Sequence, residues 1–156
     1  MTQNSHDRNL SRSAILAVDP GLMTGWAHGI KYAGNDFVTV LQTGQAEFEQ
    51  FMRLAERLAD EGLDGIVIER YTITAETLRK SRQTTALELI GCCRWLSMRY
   101  DLEFVLQSPG DAKSFATDDK LEKAGWMVKK ADDHANDALR HLLLYSVKNR
   151  LMEVPR

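Results

Sequence analysis

Short apolar segments bounded by turn residues predict β-strands at residues 14–19, 25–30, 36–44, 65–69 and 102–109. The first, AILAVD, is continuously apolar, which is typical of a strand covered on both faces. The second and third carry polar interruptions and are separated by Gly34 and Asn35, so we expect an antiparallel meander. The fourth, GIVIE, again predicts a buried strand.

Apolar residues at helical spacing alternate with the later strands. They predict helices over residues 45–60 and about 83–100, one or two short helices within 111–124, and a long last helix over about 133–152. A polar loop is expected after residue 69. The order βββαβαβα predicts an α/β fold, in which a three-stranded antiparallel meander and then parallel strands form one mixed sheet flanked by helices. We expect a single domain over residues 14–156, after a flexible tail at 1–13.

The composition is that of an ordinary globular domain, with 44% hydrophobic and 27% charged residues among 156. No segment approaches the roughly 18 apolar residues that span a bilayer. The polar N-terminus lacks the apolar centre of a signal peptide, so we expect an intracellular protein without a membrane partner. The adjacent Cys92 and Cys93 lie in a helical pattern, where a bond between them would need distortion, and we expect small core residues.

The formal charge of −2 does not by itself indicate a nucleic-acid-binding protein, but the positive residues are clustered. One cluster follows the fourth predicted strand and another precedes the last helix; they comprise Arg70, Arg79, Lys80 and Arg82, and Lys113, Lys120, Lys123, Lys129 and Lys130. Basic clusters of this kind are suited to contacts with phosphates.

Two of the predicted buried strands end on a carboxylate, Asp19 and Glu69. Open α/β sheets bind their ligands at the carboxyl ends of the strands, and a buried carboxylate without a partner is costly. Two such carboxylates brought together need cations. Asp19 also has a simpler interpretation, in which it satisfies the backbone of its own Asp-Pro-Gly turn.

The last predicted helix opens with DDHANDALRHLLLY. His134, Asp137 and His141 fall within a narrow arc beside the apolar stripe of this helix, and the first two are i,i+3 neighbours. Docking of the stripe on the sheet would carry His134 and Asp137 to the strand ends. Asp132 or Asp133 is expected to be the helix N-cap. For His141 we favour a packed histidine over a further ligand.

Three carboxylates and an imidazole around one point suit hard divalent cations, Mg²⁺ or Mn²⁺ above all. Two such ions can activate a water and stabilise the leaving oxygen of an in-line phosphodiester cleavage. The chemistry therefore needs an acid-rich pocket surrounded by basic residues that hold the phosphates.

The segments AVDPGLMTGWA, IVIERY and HANDA resemble the RuvC-type Holliday-junction resolvases of the RNase H-like superfamily, above all their phage-encoded relatives. The resemblance covers residues 15 to about 145. It implies a homodimer that binds branched DNA and cuts four-way junctions by two paired nicks. It further implies two Mg²⁺ or Mn²⁺ ions per active site and a location in the cytoplasm of a bacterium or a phage-infected cell. The family's metal ligands fall on Asp19, Glu69, His134 and Asp137.

The resemblance places the first catalytic lysine of the family on Lys113. The second falls on Lys120 or Lys123, because the family's glycine-rich spacing is absent here, and we favour Lys120. Phosphate contacts are expected from Arg70, Arg79, Lys80, Arg82, Lys113 and Lys120. The family's aromatic residue at the junction centre corresponds to Thr72, so the neighbouring Tyr71 either stacks on an exposed base or covers the core. This departure leaves forks or flaps open as preferred substrates.

The helix from about residue 83 carries two apolar stripes, Ala86, Leu89, Cys93 and Leu96 on one side and Leu87, Ile90, Trp95 and Met98 on the other. One stripe can cover the sheet. The second, with Gly91 in mid-helix, favours contact with a second copy of the chain. The alternative is a helix wedged between the sheet and the 111–124 segment.

The sequence also allows two other classes of function. Actin-like and sugar-kinase folds also begin with a strand, an acid and a Gly-rich turn that holds a nucleotide phosphate, but they are usually far longer. A module that binds branched DNA without cutting it would keep the fold, although every candidate ligand is present. A cleavage assay separates this module from a nuclease.

Overall fold

The computed structural model describes residues 12–80, 84–129 and 132–156. The strands are β1 (Arg12–Asp19), β2 (Thr24–Tyr32), β3 (Thr39–Ala46), β4 (Gly65–Glu69) and β5 (Glu103–Gln107). The helices are α1 (Phe48–Asp60), α2 (Ala75–Lys80), α3 (Thr85–Tyr100), α4 (Pro109–Phe115), α5 (Asp118–Lys123) and α6 (Asp133–Lys148). Of the expected N-terminal tail, residues 1–11 lie outside the described residues.

All of these strands form one sheet in the order β3-β2-β1-β4-β5. β2 pairs antiparallel with both β1 and β3, whereas β4 runs parallel to both β1 and β5. This confirms the expected α/β fold, with an antiparallel meander followed by parallel strands. None of the helices in the described residues combines the length and hydrophobicity that crossing a bilayer needs.

The structure corrects several predicted boundaries. β1 begins at Arg12, and β3 begins at Thr39 rather than at residue 36, because the turn after β2 extends to Val38. Residues 45–46 extend β3 rather than opening α1. The last helix ends at Lys148, where Arg150 at φ 57° and the bond from the Leu151 amide to the Ser146 carbonyl close it in a Schellman motif.

The predicted polar loop after β4 contains a short helix, α2. Its start is held by Thr74 and Thr77, because the hydroxyl of each accepts a hydrogen bond from the amide of the other, at 3.1 and 2.7 Å. This reciprocal arrangement resembles a capping box with threonine in place of the usual Glu or Gln. The sequence TAET therefore carried a helix-start signal that hydrophobic spacing alone did not show.

β1 divides its side chains between two hydrophobic cores, as its continuous apolar run predicted. Leu16 and Val18 face α1 and α3 on one side of the sheet, whereas Ile15 and Ala17 face α6 on the other. Because side chains alternate along a strand, Asp19 belongs to the α6 face. The alternation of side chains along a strand therefore decides on which face of the sheet each functional side chain lies.

The two stripes of α3 have different environments. Ala86, Leu89, Cys93 and Leu96 are buried, three of them in the core shared with α1. Trp95 and Met98 of the second stripe are 55% and 77% exposed. The wedged-helix alternative is wrong, because α4 and α5 pack against α6 on the opposite face of the sheet.

Candidate active site

The carboxyl ends of three adjacent strands place polar side chains on the face that α6 covers. Asp19 ends β1, Glu69 ends β4 and Gln107 ends β5. Val67 lies two residues before Glu69, Val105 lies two residues before Gln107, and both valines pack in the α6 core. Because side chains alternate along a strand, Glu69 and Gln107 project to the same face as Asp19. Glu69 and Gln107 are direct partners in the parallel ladder. Sequence reasoning identified the two acids and missed Gln107.

Two backbone contacts set the start of α6 against the strand ends. A Cβ on Gly25 would lie only 1.8 Å from the carbonyl oxygen of His134, so β2 and α6 touch where only glycine fits. The side-chain oxygen of Gln45 accepts a hydrogen bond from the His134 amide at 3.0 Å. Asp132 occupies the expected N-cap position without a side-chain cap bond. Gln45, from the end of β3, therefore satisfies a free amide of the first helical turn.

Asp19 and His134 form the first pair of the site. The His134 Nδ1 atom lies 2.9 Å from Asp19 Oδ2. Asp19 is only 8% exposed. Burial raises the pKa of its carboxyl from 3.8 to about 6, and the negative charges of Glu69 and Asp137 add to the rise, whereas the hydrogen bond with His134 opposes it. The charges of Glu69 and Asp137 therefore both act on the buried carboxyl of Asp19.

Glu69 belongs to a second pair, formed with His141. The Nε2 atom of His141 lies 3.0 Å from Glu69 Oε2, and its Nδ1 atom lies 2.9 Å from Gln107 Oε1. His141 is buried in the α6 core and both ring nitrogens are engaged by protein oxygens. The favoured interpretation of a packed histidine is confirmed, with the addition that this histidine contacts a candidate ligand.

Asp137 is held by two cations. The Lys113 ammonium lies 3.4 Å from Asp137 Oδ2, and Arg140 Nε donates to Asp137 Oδ1 at 3.2 Å. Arg140 also donates to the Ala116 carbonyl at 2.6 Å and to Asp118, so it ties α6 to the connection between α4 and α5. Sequence reasoning missed Arg140. The available signal was its i,i+3 spacing from Asp137, at the edge of the apolar stripe.

The two candidates for the second catalytic lysine contact other residues than the candidate ligands. The Lys120 ammonium donates to the Phe115 carbonyl at 2.6 Å and lies 4.4 Å from the centre of the Phe115 ring. Lys123 pairs with Asp119, 2.8 Å away and one turn earlier on α5. Lys113 is therefore the expected catalytic lysine that contacts a candidate ligand, and the choice between Lys120 and Lys123 stays a prediction.

The expected DNA-contacting residues of the first basic cluster follow β4. Arg70 is exposed and Tyr71 is half-buried. The Arg70 amide donates to the Gln107 carbonyl at 2.7 Å, which extends the β4–β5 pairing beyond Glu69. Arg79 and Lys80 lie on α2, and Arg82 lies outside the described residues. Both interpretations of Tyr71 stay open.

Of the four candidate ligands, Asp19 and His134 contact each other, whereas Glu69 contacts His141 and Asp137 contacts two cations. Within residues 12–80, 84–129 and 132–156, no three carboxylate, imidazole or thiol groups form a ready metal shell. Asp137 is neutralised by Lys113 and Arg140, whereas the described residues offer Asp19 no lysine or arginine partner, only His134. A buried carboxylate with two like charges nearby fits a divalent cation, and this oxygen-rich donor set suits Mg²⁺ or Mn²⁺.

No protein-family model matches the chain, and no curated protein matches its sequence. Its fold matches solved structures. RuvC from Thermus thermophilus aligns with a TM-score of 0.66 at 14% identity, over 88% of this chain and 96% of the RuvC chain. T. thermophilus RuvC in complex with a Holliday junction substrate gives 0.64 at 12% identity, over 89% and 96% of the two chains. The fowlpox virus Holliday junction resolvase gives 0.57 at 14% identity, over 87% and 99%. The chain has the RNase H-like fold of the RuvC-type resolvases, as the sequence motifs predicted.

Proposed function

We propose that this protein is a metal-dependent, structure-selective DNA endonuclease that resolves Holliday junctions by paired phosphodiester cleavage. The observation that carries the proposal is the placement of three acids at one end of the sheet. Asp19 and Glu69 end adjacent strands on the face that α6 covers, and the α6 turn that carries Asp137 also carries His134, which lies 2.9 Å from Asp19. Such a concentration of negative charge costs stability in the protein alone and becomes favourable when cations bind. The fold shared with two junction-resolving proteins supports the same reaction.

Asp19, Glu69, His134 and Asp137 would hold two Mg²⁺ or Mn²⁺ ions. The ions would supply an activated water and stabilise the leaving oxygen of the cleaved strand. Lys113 stands at the rim of this site, where its exposed ammonium is available to a DNA phosphate as well as to Asp137. If Lys113 bound a phosphate in place of Asp137, the Oδ2 atom of Asp137 would become available to a metal ion while Arg140 stays on Oδ1.

Further phosphate contacts are assigned to Arg70, Arg79, Lys80, Arg82 and Lys120, as the sequence suggested. Arg70 directly follows Glu69 in the chain and is exposed, so its guanidinium is available to a phosphate. Neutralising six or more phosphates would make binding strongly salt-dependent, with a loss of roughly 10³–10⁵ in affinity between 50 and 200 mM salt. We expect this reaction in the cytoplasm of a bacterium or a phage-infected cell.

We further propose that the active form is a homodimer joined through α3. The outer stripe of α3 is exposed at Leu87, Trp95 and Met98, and a Cβ on Gly91 would meet no atom within 4 Å. An exposed apolar stripe with a glycine within it is suited to close approach by an equivalent helix. Two copies of the active site related by a two-fold axis would deliver the two nicks that resolution requires.

The decisive experiment incubates the protein with end-labelled four-way junctions, forks, flaps and linear duplex in Mg²⁺ or Mn²⁺. Symmetric paired nicks in the junction would support resolution, whereas single nicks confined to forks or flaps would replace it with that related activity. Asp19→Asn and Asp137→Asn should retain most junction binding while cleavage falls by orders of magnitude. Junction binding by the wild-type protein without cleavage would indicate a non-catalytic module and overturn the proposal.

A further inference from the structure

His141 occupies the centre of a buried polar chain that joins β4, β5 and α6. The side chain is 1% exposed, and its two ring nitrogens lie 2.9 Å from Gln107 and 3.0 Å from Glu69. Gln107 is itself buried at the end of β5. Glu69 and Gln107 are ladder partners, so both project to the α6 face at the same height, and the imidazole spans the gap between them.

The position of His141 is not explained by packing alone. Its α6 neighbours toward the sheet, Ala138 and Leu142, are fully buried and apolar, so a leucine or methionine would bury at lower cost than an imidazole. The polar ring is stable there because both nitrogens are hydrogen-bonded. Packing of the core does not require a histidine here, so what His141 adds is its two hydrogen bonds, to Gln107 and Glu69.

The hydrogen-bond chemistry makes the contact with Glu69 directional. A carboxylate accepts hydrogen bonds and does not donate them, so His141 Nε2 donates to Glu69 Oε2. The Gln107 amide can present either its oxygen or its NH₂ group to Nδ1 and satisfies that nitrogen in either orientation. The ring thus holds one oxygen of Glu69, and no residue of the described part of the chain donates a hydrogen bond to the other oxygen.

We propose that His141 is a positioning residue that orients Glu69 for a divalent cation, and that Gln107 fixes the ring of His141. This inference rests on the proposed function, because it concerns the same metal site. Groups that hydrogen-bond metal ligands fix the orientation of those ligands, and their removal commonly weakens metal binding 10- to 100-fold. His141 does not coordinate the ion, since both of its nitrogens are already bound to protein.

The test measures Mn²⁺ affinity by titration calorimetry on the full chain, alongside thermal unfolding. His141→Leu places an apolar side chain of similar size in the core and removes both hydrogen bonds. It should weaken Mn²⁺ binding 10- to 100-fold. It should also raise the Mn²⁺ concentration for half-maximal junction cleavage by the same factor. His141→Gln retains a donor near the position of Nε2 and should recover most of the affinity. Leu139→Ala, a buried α6 residue with no polar group, is the control, and it should lower the unfolding temperature with unchanged Mn²⁺ affinity.

Wild-type Mn²⁺ affinity in His141→Leu, or an equal loss in Leu139→Ala, would overturn the inference alone. A wild-type protein that neither binds Mn²⁺ nor cuts branched DNA would overturn the proposed function and this inference with it. If His141→Leu does not fold, Gln107→Leu decides. This substitution keeps the His141–Glu69 contact and removes the hydrogen bond between Gln107 and His141 Nδ1. It should weaken Mn²⁺ binding several-fold, and an unchanged affinity would overturn the proposal.

Discussion

The Nδ1 atom of His134 lies 2.9 Å from Oδ2 of Asp19, although 115 residues separate them in the chain. The two side chains differ in exposure: the Asp19 carboxylate is buried at the end of β1, whereas the His134 ring is half-exposed on the first turn of α6. The contact depends on where α6 begins relative to β2 and β3, which Gly25 and Gln45 set through the His134 backbone. The geometry of the site is therefore a consequence of helix docking.

Gly25→Ala should disrupt the site without changing any functional side chain. The new Cβ would lie 1.8 Å from the His134 carbonyl oxygen, so the backbone of α6 has to move. We expect a loss of about 2–4 kcal/mol in unfolding free energy, measured by urea denaturation, and at least tenfold slower cleavage. Gly44→Ala in β3 is the control, because the atoms nearest to its Cβ belong to the Trp26 side chain, the closest at 3.2 Å, and not to backbone. Equal effects of the two substitutions would contradict this explanation.

Asp19→Asn should stabilise the metal-free protein at alkaline pH while abolishing cleavage. The folded-state pKa of Asp19 is raised from 3.8 to about 6, so the protein loses stability as the pH rises from about 4 through 6, where the carboxyl ionises only at a cost. At pH 8 the wild type should be up to about 3 kcal/mol less stable than the asparagine variant in EDTA. The difference should disappear below about pH 4. Thermal unfolding across this range checks the sign, and a difference that does not change with pH would contradict it.

Arg140 and Lys113 both contact Asp137 but should behave differently on substitution. Arg140 is largely buried and also holds the Ala116 carbonyl and Asp118, so Arg140→Met should cost about 2–4 kcal/mol of unfolding free energy. Lys113 is 60% exposed, and Lys113→Met should cost less than about 0.5 kcal/mol. Cleavage should nevertheless fall strongly in Lys113→Met. Urea denaturation and junction cleavage of the two variants distinguish the roles, and equal losses of stability would show that they are wrongly assigned.

Trp95→Glu should dissociate the proposed dimer. Trp95 is 55% exposed in the outer stripe of α3, and a buried unpaired charge between two copies would be strongly unfavourable. Light scattering should give a mass near twice 17.7 kDa for the wild type and near 17.7 kDa for the variant. Paired nicking should decrease relative to single nicking. Phe37→Glu places the same charge at an exposed aromatic far along the chain from α3 and should leave the dimer intact. A wild type that is monomeric would contradict the α3 interface.

Much of the fold could be predicted from the sequence because its signals are local. The continuous apolar run of β1 and its terminal Asp19 follow from burial on two faces and from alternation along a strand. The arc of His134 and Asp137 follows from helical spacing alone. The helix α2 was missed because six residues give too few positions for a hydrophobic period, and its start depends on two threonine hydroxyls.

The sequence by itself determined which side chains end the strands, which face of α6 is apolar and which acids are candidates for metal binding, because these depend on periods of two and 3.6 residues. Only the tertiary structure decided that Gln45 caps α6, that Arg140 holds Asp137 and that His141 joins Gln107 to Glu69. Each of these contacts depends on how a helix crosses a sheet or meets another helix. That angle and register come from the packing of whole surfaces, which no short stretch of the chain contains.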